Sequence, residues 1–299
     1  MQLFIVDAST DKIFGGNQAG VVLLRDGQAF PDELLMQRIA AELKHSETAF
    51  VRRINPNTFE LRYFTPESEV PLCGHATVSA FTVLREQGWI ASGKYLAQTQ
   101  LGKLDVVVEA DQIWLRMPRG ETIKQLSPEE AERVYAAYQI SKADRPPELP
   151  PAIVKVGLPD IMFPVCSKKV LDQAVQNRDE VIRLTRELGL VGVHMFYCTE
   201  EETTTAYCRN FAPLFGIDEE SATGTSNASL THFLLQRGLV KPGTINRFVQ
   251  GEAMGKPSVI LSRVEEDGTS WIGGSAVISV QGELKIDISC SSDHRENPC

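Results

Sequence analysis

Two stretches that each begin with glycine hold the residue types best suited to chemistry in this chain. They read Gly74-His75-Ala76 and Gly224-Thr225-Ser226, and each opens a run typical of a helix. A helix N-terminus presents free N–H groups at the positive end of a dipole, and glycine lets a ligand approach that backbone closely. Facing one cleft, two such ends would bind a carboxylate or another small anion. For either copy alone, a glycine that only relieves crowding is the competing interpretation.

Glu47 is the candidate for moving a proton. A carboxylate can take a proton from carbon and return it elsewhere when burial brings its pKa towards neutrality. A glutamate that opens a strand is more often a solvated residue, so the residue alone leaves both interpretations open. His75 is either a satisfied core residue or a proton-transfer group. Positive charge is disfavoured at a helix N-terminus, so we expect a neutral imidazole.

The two glycine stretches belong to a longer internal repeat. An Arg-x-Phe-x-Pro motif occurs at residues 62–66 and again at 209–213. An acid follows in each copy, at Glu69 and Glu219, four residues before the pair that ends in glycine. Residues 73–88 and 223–238 then match without a gap. Such a repeat decides the architecture, and two copies indicate a duplicated domain. Because Glu69 and Glu219 share one repeat position, we predict that both hold the turn before the helix.

The elements around the repeat predict two sheets, each wrapped around one central helix. The first half comprises residues 1–118 plus about 281–299 and holds Glu47 and the central helix 74–87. The second half comprises residues 119–280 and holds the central helix 224–237. Aligning Leu43 with Leu188, the ends of two predicted helices, places Gly192 opposite Glu47. The last strands, 275–280 and 283–288, are expected to return to the first half, and the polar tail 291–299 is expected to fray.

Several motifs resemble those of the phenazine-biosynthesis PhzF-like isomerase family, and the resemblance covers essentially the whole chain. They are Cys73-Gly74-His75-Ala76-Thr77, Phe64-Thr65-Pro66 with Glu69, His45-Ser46-Glu47-Thr48-Ala49-Phe50, Gly15-Gly16-Asn17-Gln18-Ala19-Gly20-Val21-Val22, and the regions 216–224, 251–258 and 274–282. The resemblance implies an α+β, diaminopimelate-epimerase-like fold. In that fold, two pseudo-symmetric halves each curl a barrel-like, mostly antiparallel sheet around a central helix, with the active site between them.

The resemblance also implies roles for individual residues. Glu47 matches the catalytic acid/base of the family, in an isomerase that moves a proton on a small carboxylate-bearing substrate without a cofactor. His75, Glu220 and Thr225 would assist, while the amides of Gly74, His75, Gly224 and Thr225 would bind the anion. Glu220 and Thr225 stand where the family usually has Asp and Ser. Each therefore keeps the carboxyl or hydroxyl group of the family residue and alters its reach or shape. For Asn17 we assign only a structural role.

Cys73 supports a different mechanism. Related epimerases of this fold use two thiols as opposing acid and base, one at each central helix. Here the repeat partner of Cys73 is Thr223, whose hydroxyl is a poor base at neutral pH. An epimerase or racemase that uses Cys73 is therefore the first alternative function. The second is a non-catalytic small-molecule-binding or interaction protein on the same fold.

Composition narrows the range of possible binding partners and cofactors. A formal charge of −9, with 42% hydrophobic and 23% charged residues, is typical of a globular protein and argues against nucleic acid as a partner. We find no secretory signal or membrane-spanning run. The six cysteines are scattered, without zinc-site spacing, which favours reduced thiols in a cytoplasm. Since P-loop and Rossmann motifs are also missing, we expect no metal and no organic cofactor. The family resemblance implies a homodimer.

Overall fold

The computed structural model describes residues 1–285, so the predicted tail lies outside the described residues. Within them, strands join into one 18-stranded sheet. The strands are β1 (Gln2–Ala8), β2 (Asn17–Leu23), β3 (Glu47–Asn55), β4 (Thr58–Phe64), β5 (Glu69–Val70), β6 (Gly93–Thr99), β7 (Gly102–Val108), β8 (Ile113–Met117), β9 (Glu121–Gln125), β10 (Ala152–Val156), β11 (Leu158–Pro164), β12 (Gly192–Cys198), β13 (Ala206–Ala212), β14 (Ile217–Glu220), β15 (Ile245–Gln250), β16 (Ser258–Val264), β17 (Ser270–Gly274) and β18 (Ala276–Glu283). The α-helices are α1 (Glu33–Leu43), α2 (Gly74–Glu86), α3 (Pro128–Ala137), α4 (Lys168–Gln173), α5 (Arg178–Leu188) and α6 (Gly224–Leu235).

The two halves repeat one pattern of strand pairing. In the first half, β1 pairs antiparallel with β2, β2 parallel with β3, and β3 antiparallel with β4. The strands β10 to β13 repeat this order. Next, β4 pairs parallel with β6, and β6 to β8 pair antiparallel in order. The second half repeats this, because β13 pairs parallel with β15 and β15 to β17 pair antiparallel. The duplication predicted from the repeat is therefore confirmed, and so is the mostly antiparallel α+β fold that the family resemblance implies.

Each half is closed by a strand that follows the last strand of the other half. Strand β9 comes after β8 but pairs with β10, and β18 comes after β17 but pairs with β1. A direct pairing of β8 with β17 also joins the halves. We predicted two closing strands, 275–280 and 283–288. The structure instead has one continuous strand, β18, because hydrogen bonding to β1 persists through Gly282, and residues 286–288 lie outside the described part. The division at residue 118 stays a prediction.

The central helices are buried because nearly every side chain packs against a curled sheet. In α2, all residues from Ala76 to Leu84 are buried. The buried part of α6 is more polar and includes Ser226, Asn227, Ser229 and Thr231. Both helices end slightly before the predicted residues 87 and 237, because the amides of Gly88 and Arg237 bond to carbonyls three residues back instead of four. Gly88 and Gly238 take the predicted left-handed conformation, with φ of 71° and 70°.

The outer helices begin at side-chain caps. In α3, Ser127 and Glu130 form the expected capping box, and in α5 the side chain of Asn177 accepts from the Glu180 amide. The amphipathic run from Pro31 to Leu43, with proline at its start, predicts a first helix that begins at Pro31, and this start is wrong. The helix begins at Glu33, because the carboxylate of Asp32 accepts from the Leu35 amide and acts as the N-cap.

A repeated ion pair braces the turn before each central helix. The guanidinium of Arg62 binds both carboxylate oxygens of Glu69, with an Nε–Oε1 distance of 2.7 Å. Arg209 binds Glu219 in the same bidentate way, with both distances 2.8 Å. These side chains are mostly buried, and a bidentate pair fixes geometry as well as charge. The structural role predicted for Glu69 and Glu219 is confirmed.

Candidate functional site

Glu47 and Gly192 occupy equivalent places in the two halves. Each is the first residue of a strand that follows a helix and pairs in parallel with the strand before it. The equivalence predicted from the alignment of Leu43 with Leu188 is therefore confirmed. A side chain at 192 would clash, because a Cβ there would lie 2.4 Å from the carbonyl oxygen of Phe211. Only the first half can carry a carboxylate at this position.

His75, at the start of α2, lies between Glu47 and Cys73. Its Nε2 is 3.2 Å from Glu47 Oε2 and 3.2 Å from Ser46 Oγ. Its Nδ1 is 3.4 Å from the Sγ of Cys73 and 3.3 Å from the Nδ2 of Asn17. Burial lowers the pKa of His75, and the negative charge of Glu47 opposes that effect. The direction agrees with the neutral imidazole we expected, with burial rather than the helix dipole as the main cause.

The amide of Asn17 favours one tautomer of His75. Since an NH₂ group can only donate, the Nδ1 that faces Asn17 acts as an acceptor, which leaves the ring proton on Nε2. That proton then faces the carboxylate of Glu47. The Oε2 atom of Glu47 is buried and has no well-aligned hydrogen bond within residues 1–285, although Nε2 lies at ion-pair distance. This oxygen therefore contacts His75 but makes no well-aligned hydrogen bond, which leaves it able to accept a proton from a substrate.

Glu220 reaches the same region from the second half. Its Oε1 accepts from Asn17 Nδ2 at 3.2 Å, and its Oε2 accepts from the hydroxyl of Thr223. Its backbone carbonyl accepts from the side chain of Gln250 at 2.7 Å. Burial raises the pKa of Glu220 to about 7, and the nearby charge of Glu47 adds to the rise. A group with this pKa is present in both protonation states near neutral pH.

Thr225 is the second residue of α6 and is half-buried. Within residues 1–285, its hydroxyl has no hydrogen bond to another side chain or to the backbone, in contrast to the hydroxyl of Thr223. The structure thus brings Glu47, His75, Asn17 and Glu220 into one connected group. It places Thr225 nearby, in the first turn of α6.

Asn17 is the residue whose role the sequence did not reveal. Its Nδ2 lies within 3.3 Å of His75 Nδ1, Glu220 Oε1 and the carbonyl oxygen of Ala222. It therefore connects the central helix of the first half with the strand that precedes the central helix of the second. Its position beside the Gly15-Gly16 turn was a signal. Such a turn brings the chain close to another segment, which a polar side chain next to the turn can then contact.

Asp160 is a second residue whose importance the sequence did not reveal. It is 2% exposed, and its Oδ2 accepts from the hydroxyl of Ser226, in the first turn of α6, at 2.6 Å. Burial raises its pKa to about 6. Asn210 donates to the same hydroxyl and contacts the buried ring of His194. The signal was a charge within an otherwise apolar strand, since such a residue is rarely buried without a partner.

The central helices differ from the outer helices at their N-termini. Of the described helices, α1, α3, α4 and α5 each have a side chain that caps a first-turn amide. The N-cap residues of α2 and α6, Cys73 and Thr223, make no such bond. First-turn N–H groups need a partner, and a ligand can supply it where no side chain does.

The two glycines at these helix starts have different surroundings. A Cβ added at Gly74 would meet nothing within 4 Å, so crowding does not require glycine there. A Cβ at Gly224 would lie 3.2 Å from Ile272 Cγ2, which is a tight contact. The crowding interpretation therefore has support at Gly224 and none at Gly74. The open backbone at Gly74 is what close approach of a ligand requires.

Three side chains of the site could hold a metal ion. Ligand atoms of Glu47, Cys73 and His75 all lie within 4.8 Å of one another. Burial and the charge of Glu47 raise the pKa of the Cys73 thiol well above its ordinary value, so in the free protein it is protonated. The expectation that activity needs no metal and no organic cofactor stays a prediction.

Within residues 1–285, no helix has the length and apolar character needed to cross a membrane.

Comparison with known proteins gives one family and one fold. The profile of the phenazine biosynthesis-like protein family matches residues 6–282. An uncharacterized isomerase of Clostridium acetobutylicum is 32% identical over 299 residues, which cover 95% of this chain and 98% of that protein. Among solved structures, a phenazine biosynthesis protein of the PhzF family from Bacillus anthracis superposes with a TM-score of 0.84. It is 24% identical, and the match covers 96% of this chain and 99% of that one.

The fold also extends to epimerases. A hydroxyproline epimerase from Agrobacterium vitis superposes with a TM-score of 0.60 at 13% identity, and the match covers 95% of this chain and 90% of that one. At this identity the similarity shows a shared fold, which agrees with the two-half architecture described above.

Proposed function

The chain belongs to the phenazine biosynthesis-like protein family of isomerases, and we propose that it moves a proton on a small carboxylate-bearing metabolite in the cleft between its halves, without a cofactor. The observation that carries the proposal is the contact between acid/base groups of opposite halves. Asn17 links His75 and Glu220 at 3.3 and 3.2 Å, and His75 lies 3.2 Å from Glu47. Two carboxyl groups and one imidazole thus surround one small volume.

Glu47 is the proposed base. Its uncommitted Oε2 takes a proton from a carbon atom of the substrate, and the C–H electron pair moves into the adjacent π-system or carboxylate. The Nε2–H of His75 stabilises the carboxylate between turnovers. Glu47 returns the proton to a different carbon. If Glu220 supplies it instead, Glu47 loses its proton to solvent and Glu220 takes one from solvent before the next turnover. The bonds balance, since one C–H bond breaks and one forms, and nothing else is consumed.

The first turns of α2 and α6 are the proposed binding site for the substrate carboxylate. Both lack a side-chain cap, and their glycines Gly74 and Gly224 let an anion approach the backbone. Fixed N–H groups also stabilise negative charge that grows on the substrate as the C–H bond breaks, without needing to reorganise. The hydroxyl of Thr225 can add a further hydrogen bond to the same anion.

The thiol-based alternative receives less support. The raised pKa of Cys73 disfavours the thiolate that a base would need. The hydroxyl of the repeat partner, Thr223, donates to Glu220 and accepts from the side chain of Gln250. Cys73 could still donate a proton, so an epimerase that uses this thiol remains the main competing outcome.

We also propose a cytoplasmic location. It is supported by four free thiols, those of Cys73, Cys166, Cys198 and Cys208.

Deuterium incorporation tests the function and does not require the substrate to be identified beforehand. Purified protein is incubated with a small-metabolite extract in deuterated water, and mass spectrometry follows every carboxylate. We expect one metabolite class to be converted to an isomer of equal mass, or one heavier by a single deuterium, by the native chain and not by Glu47→Gln. If no metabolite is isomerised, the proposal is wrong and the binding-protein alternative is favoured. If both proteins act equally, Glu47 is not the base and the alternative that uses Cys73 is favoured.

A further inference from the structure

The cluster formed by Glu47, Cys73 and His75 has the donor set of a metal site. It offers one carboxylate oxygen, one sulfur and one imidazole nitrogen, which lie on two elements, the start of β3 and the start of α2. The Sγ of Cys73 is 3.9 Å from His75 Nε2, and that nitrogen is 3.2 Å from Glu47 Oε2. All three donors are therefore already together before any ion binds.

The distances match the coordination geometry of zinc. Zinc binds sulfur at about 2.3 Å and nitrogen or carboxylate oxygen at about 2.0–2.2 Å, so a tetrahedral ion separates its ligands by about 3.5 Å. The two measured separations fall on either side of that value. Because the Sγ of Cys73 lies 3.4 Å from Nδ1, an ion held at Nε2 requires the Cys73 side chain to turn towards that nitrogen. Three protein ligands leave a fourth position open, as in zinc sites that also hold water or a substrate.

A second observation points to a cation. The Oε2 atom of Glu47 is buried and makes no well-aligned hydrogen bond among the described residues, although His75 Nε2 lies 3.2 Å away. An acceptor left without a partner costs free energy, and a metal ion would supply that partner.

We propose that the Glu47–Cys73–His75 cluster is a binding site for a thiophilic divalent cation such as Zn²⁺, which acts as an inhibitor and not as a cofactor. On binding, the thiol loses its proton to solvent and forms a thiolate–metal bond. The ion then occupies the carboxylate that the reaction needs as its base. This inhibition rests on the proposed function, whereas the binding itself does not.

Cobalt is the probe for the test, because a thiolate bound to Co²⁺ gives a charge-transfer absorption in the near ultraviolet that oxygen and nitrogen ligands alone do not give. The reduced, full-length chain is titrated with Co²⁺, and Zn²⁺ is then added. We expect a saturable band at one Co²⁺ per chain that Zn²⁺ removes. The Cys73→Ser variant should lose the band, while Cys166→Ser, which removes an exposed thiol elsewhere, should keep it.

The other two ligands provide independent variants. His75→Ala and Glu47→Gln should each weaken Co²⁺ binding by at least about ten-fold, the lower limit seen even for changes outside the ligand shell. Melting curves confirm that each variant is folded. The proposal is overturned if the native chain shows no saturable band, if Cys73→Ser keeps it, or if both remaining variants bind as the native chain does. None of these readouts needs a substrate, so they fail or succeed separately from the isomerase proposal.

Discussion

Glu47 contacts Nε2 of the His75 ring, whereas Cys73 lies between the two ring nitrogens and nearer to Nδ1, and their roles can be separated by single substitutions. Glu47 offers an uncommitted carboxylate oxygen, whereas Cys73 offers a thiol whose pKa is raised. A base must be deprotonated at the pH of the reaction, so the two residues are not equivalent candidates.

We therefore predict that Glu47→Gln lowers the rate by at least about a hundred-fold, the usual loss when general acid/base catalysis is removed. Glutamine keeps the shape of the side chain and removes the titrating group, so folding should be intact. Cys73→Ala should reduce the rate much less. Turnover in deuterated water is measured for both variants, once the incorporation experiment has identified a substrate. An inactive Cys73→Ala beside an active Glu47→Gln would reverse the assignment in favour of the thiol mechanism.

The pKa of Glu220 makes a prediction about stability and pH. Burial raises this pKa from an ordinary value of 4.5 to about 7, so between these values the folded chain binds the proton more strongly than the unfolded chain. The stabilisation is fully present below about pH 4.5 and is lost as the pH rises through about 7. Asp160, with a pKa raised from 3.8 to about 6, acts in the same direction at lower pH.

In Glu220→Gln, the decline in the free energy of unfolding between about pH 5 and about pH 7 should be smaller than in the native chain. The share that comes from Asp160 should remain. Urea unfolding at several pH values in this range gives the free energy of unfolding of both proteins. The neighbouring substitution Glu219→Gln cannot serve as a control, because it breaks the ion pair with Arg209 and would lower stability for that reason. Equal slopes for the variant and the native chain would show that Glu220 does not titrate in this window.

At the scale of elements, the starts of α2 and α6 stand apart from the outer helices. Outer helices satisfy their first amides with a side chain, and in doing so they gain about 0.5–2 kcal/mol of stability. The central helices leave this stabilisation unused at the place where both approach the acid/base groups. A bound anion would satisfy those amides, and it would stabilise the fold by mass action.

Sulfate added at constant ionic strength should thus raise the melting temperature of the native chain. Gly74→Ala should reduce or abolish this response. Its Cβ meets nothing in the protein, so it interferes with a ligand and not with folding. Gly224→Val should act in the same way, but its side chain would also press on Ile272. Gly282→Ala, where a Cβ also has open space, is the matched control. An undiminished response in Gly74→Ala would place the anion at another site.

At the scale of the whole molecule, the exchange of closing strands couples the two halves. Strand β9 closes the sheet of the second half, β18 closes that of the first, and β8 pairs with β17. Neither half can unfold completely without disrupting hydrogen bonds that the other half needs. The structure therefore implies one cooperative unit, although the length would allow two domains that fold independently.

Unfolding by urea should show a single transition, with fluorescence and circular dichroism giving the same midpoint. Phe81→Ala on α2 and Phe233→Ala on α6 each remove a fully buried ring from a different half. Each should lower the free energy of unfolding by about 3–5 kcal/mol and shift the whole transition. Two separate transitions, with each variant moving only one of them, would show that the halves are independent despite the exchanged strands.

The homodimer implied by the family resemblance is a further prediction at this scale. Light scattering at micromolar concentration should give about twice the chain mass of 33.1 kDa. A chain that stays monomeric over the whole accessible concentration range would contradict it. The experiment should be done with and without sulfate, because ligand binding can shift an association equilibrium.

The sequence by itself determined the features that depend on near neighbours along the chain. The capping box of α3, the cap of α5 and the left-handed glycines after α2 and α6 all follow from local geometry. The internal repeat also allowed predictions about segments far apart in the chain, because two copies of one pattern must fold alike. It predicted the two halves, the braced turns at Glu69 and Glu219, and the equivalence of Glu47 with Gly192.

Only the tertiary structure decided which groups meet. Asn17 and Glu220 are 203 residues apart, and no local pattern determines that one amide joins this carboxylate to His75. The exchange of β9 and β18 likewise depends on how the completed sheets close. Burial, and with it the raised pKa of Glu220 and Asp160, results from packing of the whole chain. The physical reason is the same in each case, since desolvation and hydrogen bonding between distant segments exist only after the two halves have come together.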